Sequence, residues 1–322
     1  MYDVDFAGLK FSSPLVGSAG TVGYGHDLKK ISDISFFGGL TFKTITPKLR
    51  EGAPFPRVCE TEVGLINAIG LQNDGWQSFV DHHLLQVKNY PHKKIVSIAA
   101  DNIEQFAKMV RLAIDLKEID IIELNISCPN IDYGGKSYAS DKGLLKELLN
   151  ACVEAAKKKK PKNKQENKQR NKQEKKPIMV KLSPHMASIG QAAQLAEKCG
   201  VNALSMINTL RGLKIDVDSR RPLIHNVIGG YSGLGIKPIA LAMIYEASQA
   251  TKLPILGIGG IMTGEDVVEC MLAGATLVGV GTANMIDPGA CKKIFKEFSK
   301  YLAKHKTKAC DLIGAMLPPE KV

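Results

Sequence analysis

No apolar run in this chain of 322 residues approaches the ~20 needed to cross a bilayer. The first ten residues hold only three charges, Asp3, Asp5 and Lys10, and no basic-then-apolar leader pattern, so a cytoplasmic protein is expected. The seven cysteines, at 59, 128, 152, 199, 270, 291 and 310, include no C-x-x-C pair. An odd, dispersed set excludes a disulfide framework and argues against a zinc or iron–sulfur site within the chain. Six of them read as small buried or half-buried hydrophobes; Cys128 is the exception. No G-x-G-x-x-G follows the first apolar run, which counts against an open, doubly wound dinucleotide fold.

What is present is an unevenly placed positive charge. The net charge is +11, yet Lys157–Lys176 alone carries eleven Lys/Arg against two Glu, leaving about +2 for the rest. That tract contains no aromatic or aliphatic residue and is rich in Asn and Gln, so it cannot bury enough surface to fold. It reads as a solvated insertion, with an electrostatic tether to RNA or an acidic partner as the alternative.

Over the whole chain 44% of the residues are hydrophobic, ample for one large core spanning residues 1–322. Eight short β-rich runs recur, each followed by a helical stretch: 15–19, 40–45, 95–99, 121–126, 178–182, 203–207, 255–258 and 277–280. They are nearly continuous apolar stretches rather than alternating ones, as expected for parallel strands covered on both faces. Helical spacing follows the third run at Phe106, Met109, Val110 and Ala113, and the fifth at Ala192, Leu195, Ala196 and Cys199. Eight βα units predict a closed (β/α)8 TIM barrel as a single domain. Thr46–Lys94 is too long for a simple βα connection and is expected to help build the site. The basic tract falls in an αβ connection, which belongs to the opposite end of a barrel.

Chemistry concentrates at the run ends. The seventh closes on Gly259-Gly260 and the eighth on Gly279-Val280-Gly281-Thr282, where barrels commonly hold a phosphate on converging backbone amides. Lys181 ends the fifth run and Lys43 the second; a lysine inside an apolar strand needs a partner, either an ion pair or an electron-rich ligand. Cys128 follows the fourth run, and Pro129 restricts its backbone to extended conformations. A thiol with a free pKa near ~8.5 can be poised as a base by a modest shift. Asn67, Asn125, Asn130 and Asn208 fall at run ends or in the long loop, and their amides suit a planar imide such as a pyrimidine ring.

Glu123-Leu-Asn-Ile-Ser-Cys-Pro-Asn130, Asn67-Ala-Ile-Gly-Leu-Gln-Asn73, Met206-Ile-Asn-Thr209, Gly229-Gly-Tyr-Ser-Gly233 and Gly279-Val-Gly-Thr-Ala-Asn284 together resemble the dihydroorotate dehydrogenases. Those enzymes oxidise dihydroorotate to orotate on FMN in pyrimidine biosynthesis. A cysteine base marks the soluble class, and Asn-Ala-Ile-Gly-Leu-Gln-Asn is similar to its NAD-linked branch. The resemblance implies a homodimer associated with a subunit carrying FAD and a [2Fe–2S] cluster. It makes Cys128 the base that takes the substrate's C5 proton. It places Lys43, Asn67, Ala68, Ile69, Gly70, Leu71, Asn125, Asn208 and Thr209 on orotate. It places Ala19, Gly20, Lys43, Thr44, Ser97, Asn125, Lys181, Ile207, Gly233, Gly259, Gly260, Gly281 and Thr282 on FMN, with no metal site.

Three features depart from the family pattern. Ser18-Ala19-Gly20 stands where the family reads Ala-Ser-Gly, Ser97 replaces an asparagine usual in the NAD-linked branch, and the basic insertion has no counterpart. Fumarate-linked and dihydropyrimidine dehydrogenase-like activities remain alternatives, as does a tRNA dihydrouridine synthase, which the basic tract favours. Against that last reading, Ser127 rather than glycine precedes Cys128, and only about 40 residues follow the eighth run. A non-catalytic flavin- or RNA-binding protein is the remaining alternative; intact Cys128, Lys43 and Lys181 count against it.

Overall fold

All eight apolar runs form strands, and each is buried because helices cover one side and the opposing strands cover the other. The computed structural model describes residues 1–126, 137–157 and 176–319. Its parallel strands are β1 (Leu15–Gly17), β2 (Gly39–Thr41), β3 (Lys93–Ile98), β4 (Ile121–Asn125), β5 (Ile178–Lys181), β6 (Ala203–Met206), β7 (Ile255–Ile258) and β8 (Leu277–Val280). Each pairs with the next and β8 returns to β1, so the barrel is closed and has no edge strand. That closure rules out the open-sheet alternative.

The predicted helical faces are the buried ones. Helix Ile103–Ile114 buries Phe106, Met109, Val110 and Ala113 against the strands, and helix Ile189–Lys198 buries Ala192, Ala193 and Ala196, with Leu195 and the cap residue Cys199 only partly buried against the same core. Helix Gly264–Leu272 begins in a reciprocal cap. Thr263 Oγ1 accepts from the Asp266 amide at 3.2 Å, and the Asp266 carboxylate accepts from the Thr263 amide at 2.8 Å. The same carboxylate accepts from the Met262 amide at 2.8 Å and from Lys237 Nζ at 2.7 Å. Burial alone would raise this carboxyl's pKa, but Lys237 and the amides together hold it below the usual carboxylate range. The loop trailing β7 is thereby pinned from behind.

The barrel's lower end is covered by an N-terminal hairpin, Val4–Phe6 with Leu9–Phe11, whose Phe6 and Phe11 are buried. At the upper end the long connections after β2 and after β6 meet in a second, antiparallel sheet. Its order is Leu210–Gly212, Gly229–Gly233, Gly64–Asn67 and Val58–Thr61. A Cβ at Gly64 would lie 2.0 Å from the Ser232 carbonyl oxygen, so the two excursions close on each other only with glycine there.

Among the described residues no helix is long and apolar enough to cross a membrane. Cys152 and Cys270 are buried thiols whose pKa burial pushes up to about 12, and burial raises Cys291 as well. Cys310 breaks the expectation for the six ordinary cysteines, because it is exposed. The short turn Ala309–Leu312 turns Ala309 and Leu312 inward, leaving Cys310 on the outer side.

His92, just before β3, is buried and uses only one ring nitrogen. Its Nε2 donates to the Ile34 carbonyl at 2.9 Å, while Nδ1 has no partner. Protonation would create a buried N–H with no acceptor. Burial accordingly lowers the pKa below 6.5, with the Ile34 bond opposing. As pH falls the unfolded chain takes this proton first, so the stability is complete above the unfolded value and is lost below it. The melting temperature should therefore fall between pH 7 and pH 5, and His92→Gln should remove part of that fall in a thermal-melt series. An unchanged acid limb in the variant would show that His92 does not contribute.

Candidate active site

The C-terminal ends of the eight strands open into a cavity of about 450 Å³. It gathers Ala19 and Gly20 after β1, Lys43 and Thr44 after β2, Asn125 at the end of β4 and Lys181 at the end of β5. Ile207, Asn208 and Thr209 follow β6, Gly259 and Gly260 follow β7, and Gly281 and Thr282 follow β8. The second sheet and its loops roof the cavity with Asn67, Ile69, Gly70, Leu71 and Gly233. Of the residues expected from sequence, Ala68 and Ser97 stand outside the lining. Ala68 sits in the roof loop with its amide on the Arg57 carbonyl at 2.8 Å, and Ser97 is fully buried behind Thr44. Cys128, Asn130 and residues 158–175 of the basic insertion lie outside the described residues.

The floor is built by hydroxyls and amides that hold one another. Thr44 Oγ1 accepts from Asn125 Nδ2 at 3.0 Å and shares a hydrogen bond with Ser97 Oγ at 3.0 Å. The roof loop hangs on Asn73, which is buried. Its Oδ1 accepts from the amides of Thr46 at 3.1 Å and Gly75 at 2.9 Å. Its Nδ2 donates to Thr46 Oγ1 at 2.8 Å and to the Leu71 carbonyl at 2.7 Å. Gly70 just upstream has a φ of +73°, and a Cβ there would lie 2.5 Å from the Ala53 amide nitrogen. Thr282 Oγ1 donates to Ser232 Oγ at 2.9 Å, joining the roof to the end of β8.

Sequence reasoning missed Ser18, Thr21, Val58, Leu65, Ser232, Met262 and Met285, which also line the cavity. Ser232 lay within the Gly229–Gly233 motif and could have been found there. Val58 and Leu65 carried no signal, because strand pairing between two distant loops brings them in.

Lys43 and Lys181 are the charged side chains of the lining among the described residues; no carboxylate faces the cavity there. Lys181 is only 7% exposed and has neither an ion pair nor a hydrogen bond among the described residues. The amides of Gly260, Gly281 and Thr282 likewise find no acceptor among the described residues. Gly260 has a φ of +75°, and a Cβ would lie 2.5 Å from Lys237 Cβ, so the β7 end keeps its close turn only with glycine. Unpartnered donors, one buried cation and one half-buried cation make this a cavity for an anionic ligand bearing a phosphate.

Fold and site thus define a (β/α)8 barrel with an anion-accepting mouth and a glycine-lined rim at the last two strands. The family model for dihydroorotate dehydrogenase matches residues 1–302, and the chain belongs to that family. The protein named "Dihydroorotate dehydrogenase B (NAD(+)), catalytic subunit" of Phocaeicola vulgatus is 38% identical over 314 residues, covering 97% of this chain and 98% of that one. Its namesake from Citrifermentans bemidjiense is 39% identical, covering 97% of each. Among solved structures, ligand-free DHODH from Eimeria tenella superposes with a TM-score of 0.81 at 22% identity, covering 98% of this chain and 92% of that one. The ferulenol complex of the same enzyme gives 0.78 at 21%, covering 97% and 88%. These two show the shared fold.

Thr44→Val is nearly isosteric but removes the oxygen on which Asn125 and Ser97 converge. Removing that shared oxygen from two buried polar groups should cost about 1–3 kcal/mol of stability. A denaturant titration of wild type and variant measures it, and a difference within error would mean that Asn125 and Ser97 find other partners.

Proposed function

We propose that this chain oxidises dihydroorotate to orotate in pyrimidine biosynthesis, using FMN held in the barrel mouth. The observation that carries the reading is the cavity's charge: Lys43 and Lys181 face it with no acid in its described lining. The residues fit the cofactor. Free amides at Gly260, Gly281 and Thr282 suit its single phosphate, and Lys181 is a buried cation with no partner of its own among the described residues. The NAD-linked relatives support the same assignment.

FMN, when bound, supplies the hydride acceptor for the substrate's C6. The protein's part is to position and to move a proton. Lys43 offers the positive charge for the substrate carboxylate, and Asn67, Asn125 and Asn208 offer donors and acceptors to the ring. Thr209 and the Ala68–Leu71 segment complete the substrate side. Ala19, Gly20, Thr44, Ile207, Gly233 and Gly259 serve the cofactor side, with Ser97 acting behind Thr44. Cys128, two positions beyond the last described residue of that segment, is the base that takes the C5 proton.

The relatives are catalytic subunits by name, and this chain is proposed to pass electrons to NAD+ through an FAD and [2Fe–2S] subunit. Exposed apolar side chains around the second sheet support such assembly. Val63, Leu213, Ile215, Val217 and Val227, on the second sheet or the loops beside it, are all at least 47% exposed. The free cysteines among the described residues fit a reducing, cytoplasmic setting. The basic tract leaves and re-enters the chain between helix Lys142–Ala156 and β5, at the barrel end opposite the cavity.

Two outcomes test this reading. The purified protein should carry FMN, and dihydroorotate should bleach it anaerobically; Cys128→Ala should keep the flavin but bleach it roughly 10²–10⁴-fold more slowly. A wild-type rate in that variant assigns the base elsewhere, and absence of flavin sinks the reading. Deleting residues 163–173 should leave flavin content and dihydroorotate oxidation with an artificial acceptor nearly unchanged, whereas a large loss of either would give the tract a role in the site.

A further inference from the structure

The barrel interior contains one acid for which the proposed reaction has no use. Glu123 is fully buried on β4. Its Oε2 accepts from Ser205 Oγ on β6 at 2.7 Å, whereas Oε1 has no hydrogen-bond partner among the described residues. A carboxylate held by one hydroxyl is not compensated for the loss of water, so a buried cation or a proton must balance it.

Strand register identifies the cation. Asn125 pairs with Lys181 across β4 and β5, and Lys181 pairs with Ser205 across β5 and β6. Glu123 lies two residues below Asn125, opposite Met179. The Glu123–Ser205 bond therefore spans the barrel interior from β4 to β6, on either side of β5, which carries Lys181. With a rise of ~3.3 Å per residue and ~4.8 Å between strands, the two Cα atoms are about 8 Å apart. Among the described residues the two groups form no direct ion pair, and neither is paired with any other charged side chain.

Resting on the flavin reading above, we propose that Glu123 is a positioning residue for Lys181. Its carboxylate, fixed by Ser205, is the buried counter-charge beneath Lys181 that directs the ammonium up into the cavity. Without that counter-charge nothing beneath the cavity floor holds the ammonium, and the cation that faces the flavin loses its fixed place. No other titratable group competes for this role among the described residues. β6 carries none, and Lys43 is the only other charged group of the lining. Lys94 lies at the lower end of β3 with its Nζ on the Tyr90 and His92 carbonyls, and Lys93 there pairs with Asp120.

Glu123→Gln is the discriminating variant, because glutamine preserves shape and the Ser205 bond and mimics a protonated acid. FMN is titrated into flavin-stripped protein at pH 7 by fluorescence quenching. Glu123→Asp, which keeps the charge, should bind with nearly the wild-type affinity, whereas Glu123→Gln should bind about tenfold more weakly. Wild-type affinity in Glu123→Gln overturns the proposal and makes Glu123 a purely structural acid. Thermal melts of the flavin-free proteins give a second readout, independent of cofactor. Glu123→Gln should lower the melting temperature by roughly 5–10 °C, the cost of stranding a buried charge. The double variant E123Q/K181M should recover most of that loss, even if the single variant scarcely folds. A double variant no more stable than the single one overturns the coupling. If wild type binds no flavin, the function proposed above fails, while the melts still decide whether Glu123 and Lys181 are coupled.

Discussion

Closure of the eight-stranded ring is the constraint on which the rest of the molecule depends. Once every strand has a neighbour on both sides, the backbone is satisfied within the ring. Alternation of side chains then decides everything about location. On β4 and β5 the inward positions near the upper end are Asn125 and Lys181, which line the cavity, while the intervening Leu124 and Val180 are buried on the outer face. A one-residue slip in either strand would turn Lys181 into the helical layer and an aliphatic into the mouth. The polar residues at the strand ends are tolerable only because the ring fixes which of them meet.

That constraint also explains why the excursions can be irregular. The loops after β2 and β6 share a small sheet that rests on strand ends already held in place. The links between roof and barrel are few and specific, such as Thr282 Oγ1 to Ser232 Oγ. Asn73 fastens the roof loop with four hydrogen bonds from one amide side chain. Precision at the mouth comes from such polar fixings, while stability comes from the aliphatic layers between strands and helices.

Much of this was legible in the sequence, and the legible part has a common cause. Strands covered on both faces read as continuous apolar runs, so all eight barrel strands were visible, as were the helices whose inner faces keep a 3.6-residue period. Polar or glycine residues interrupting such runs stood out for the same reason, which is how Lys43, Asn125, Lys181 and the Gly259–Gly260 and Gly281–Thr282 ends were found. The second sheet was not legible. Its two halves pair across more than 160 residues, as Asn67 does with Gly230, and strands of three to five residues carry no local signature. Val58 and Leu65 therefore entered the cavity unannounced. Glu123 stood in plain view beside Leu124, but only the Ser205 bond and its bare second oxygen show that it is a buried acid with one oxygen left unsatisfied among the described residues.

Charge also bears on which pyrimidine such a mouth selects. A flavin needs one cation near its ring and amides at its phosphate, and Lys181 with the β7 and β8 ends can meet both needs. Lys43 remains. If a neutral dihydropyrimidine occupied the substrate half, it would cover Lys43 and leave a half-buried ammonium without a counter-charge, because no acid of the described lining can pair with it. A ring bearing a carboxylate supplies that charge itself. Stranding a charge in a closed site costs several kcal/mol after relaxation, and every 1.4 kcal/mol is about tenfold in affinity, so one lysine is enough to separate a carboxylated ring from an otherwise identical neutral one. The same reasoning weighs against a uridine in RNA: its ring carries no carboxylate, and the basic tract that could attract a polynucleotide joins the chain at the opposite end of the barrel. Fold, rim and floor would serve any of the flavin enzymes weighed against this sequence, but the unpaired Lys43 favours the acid.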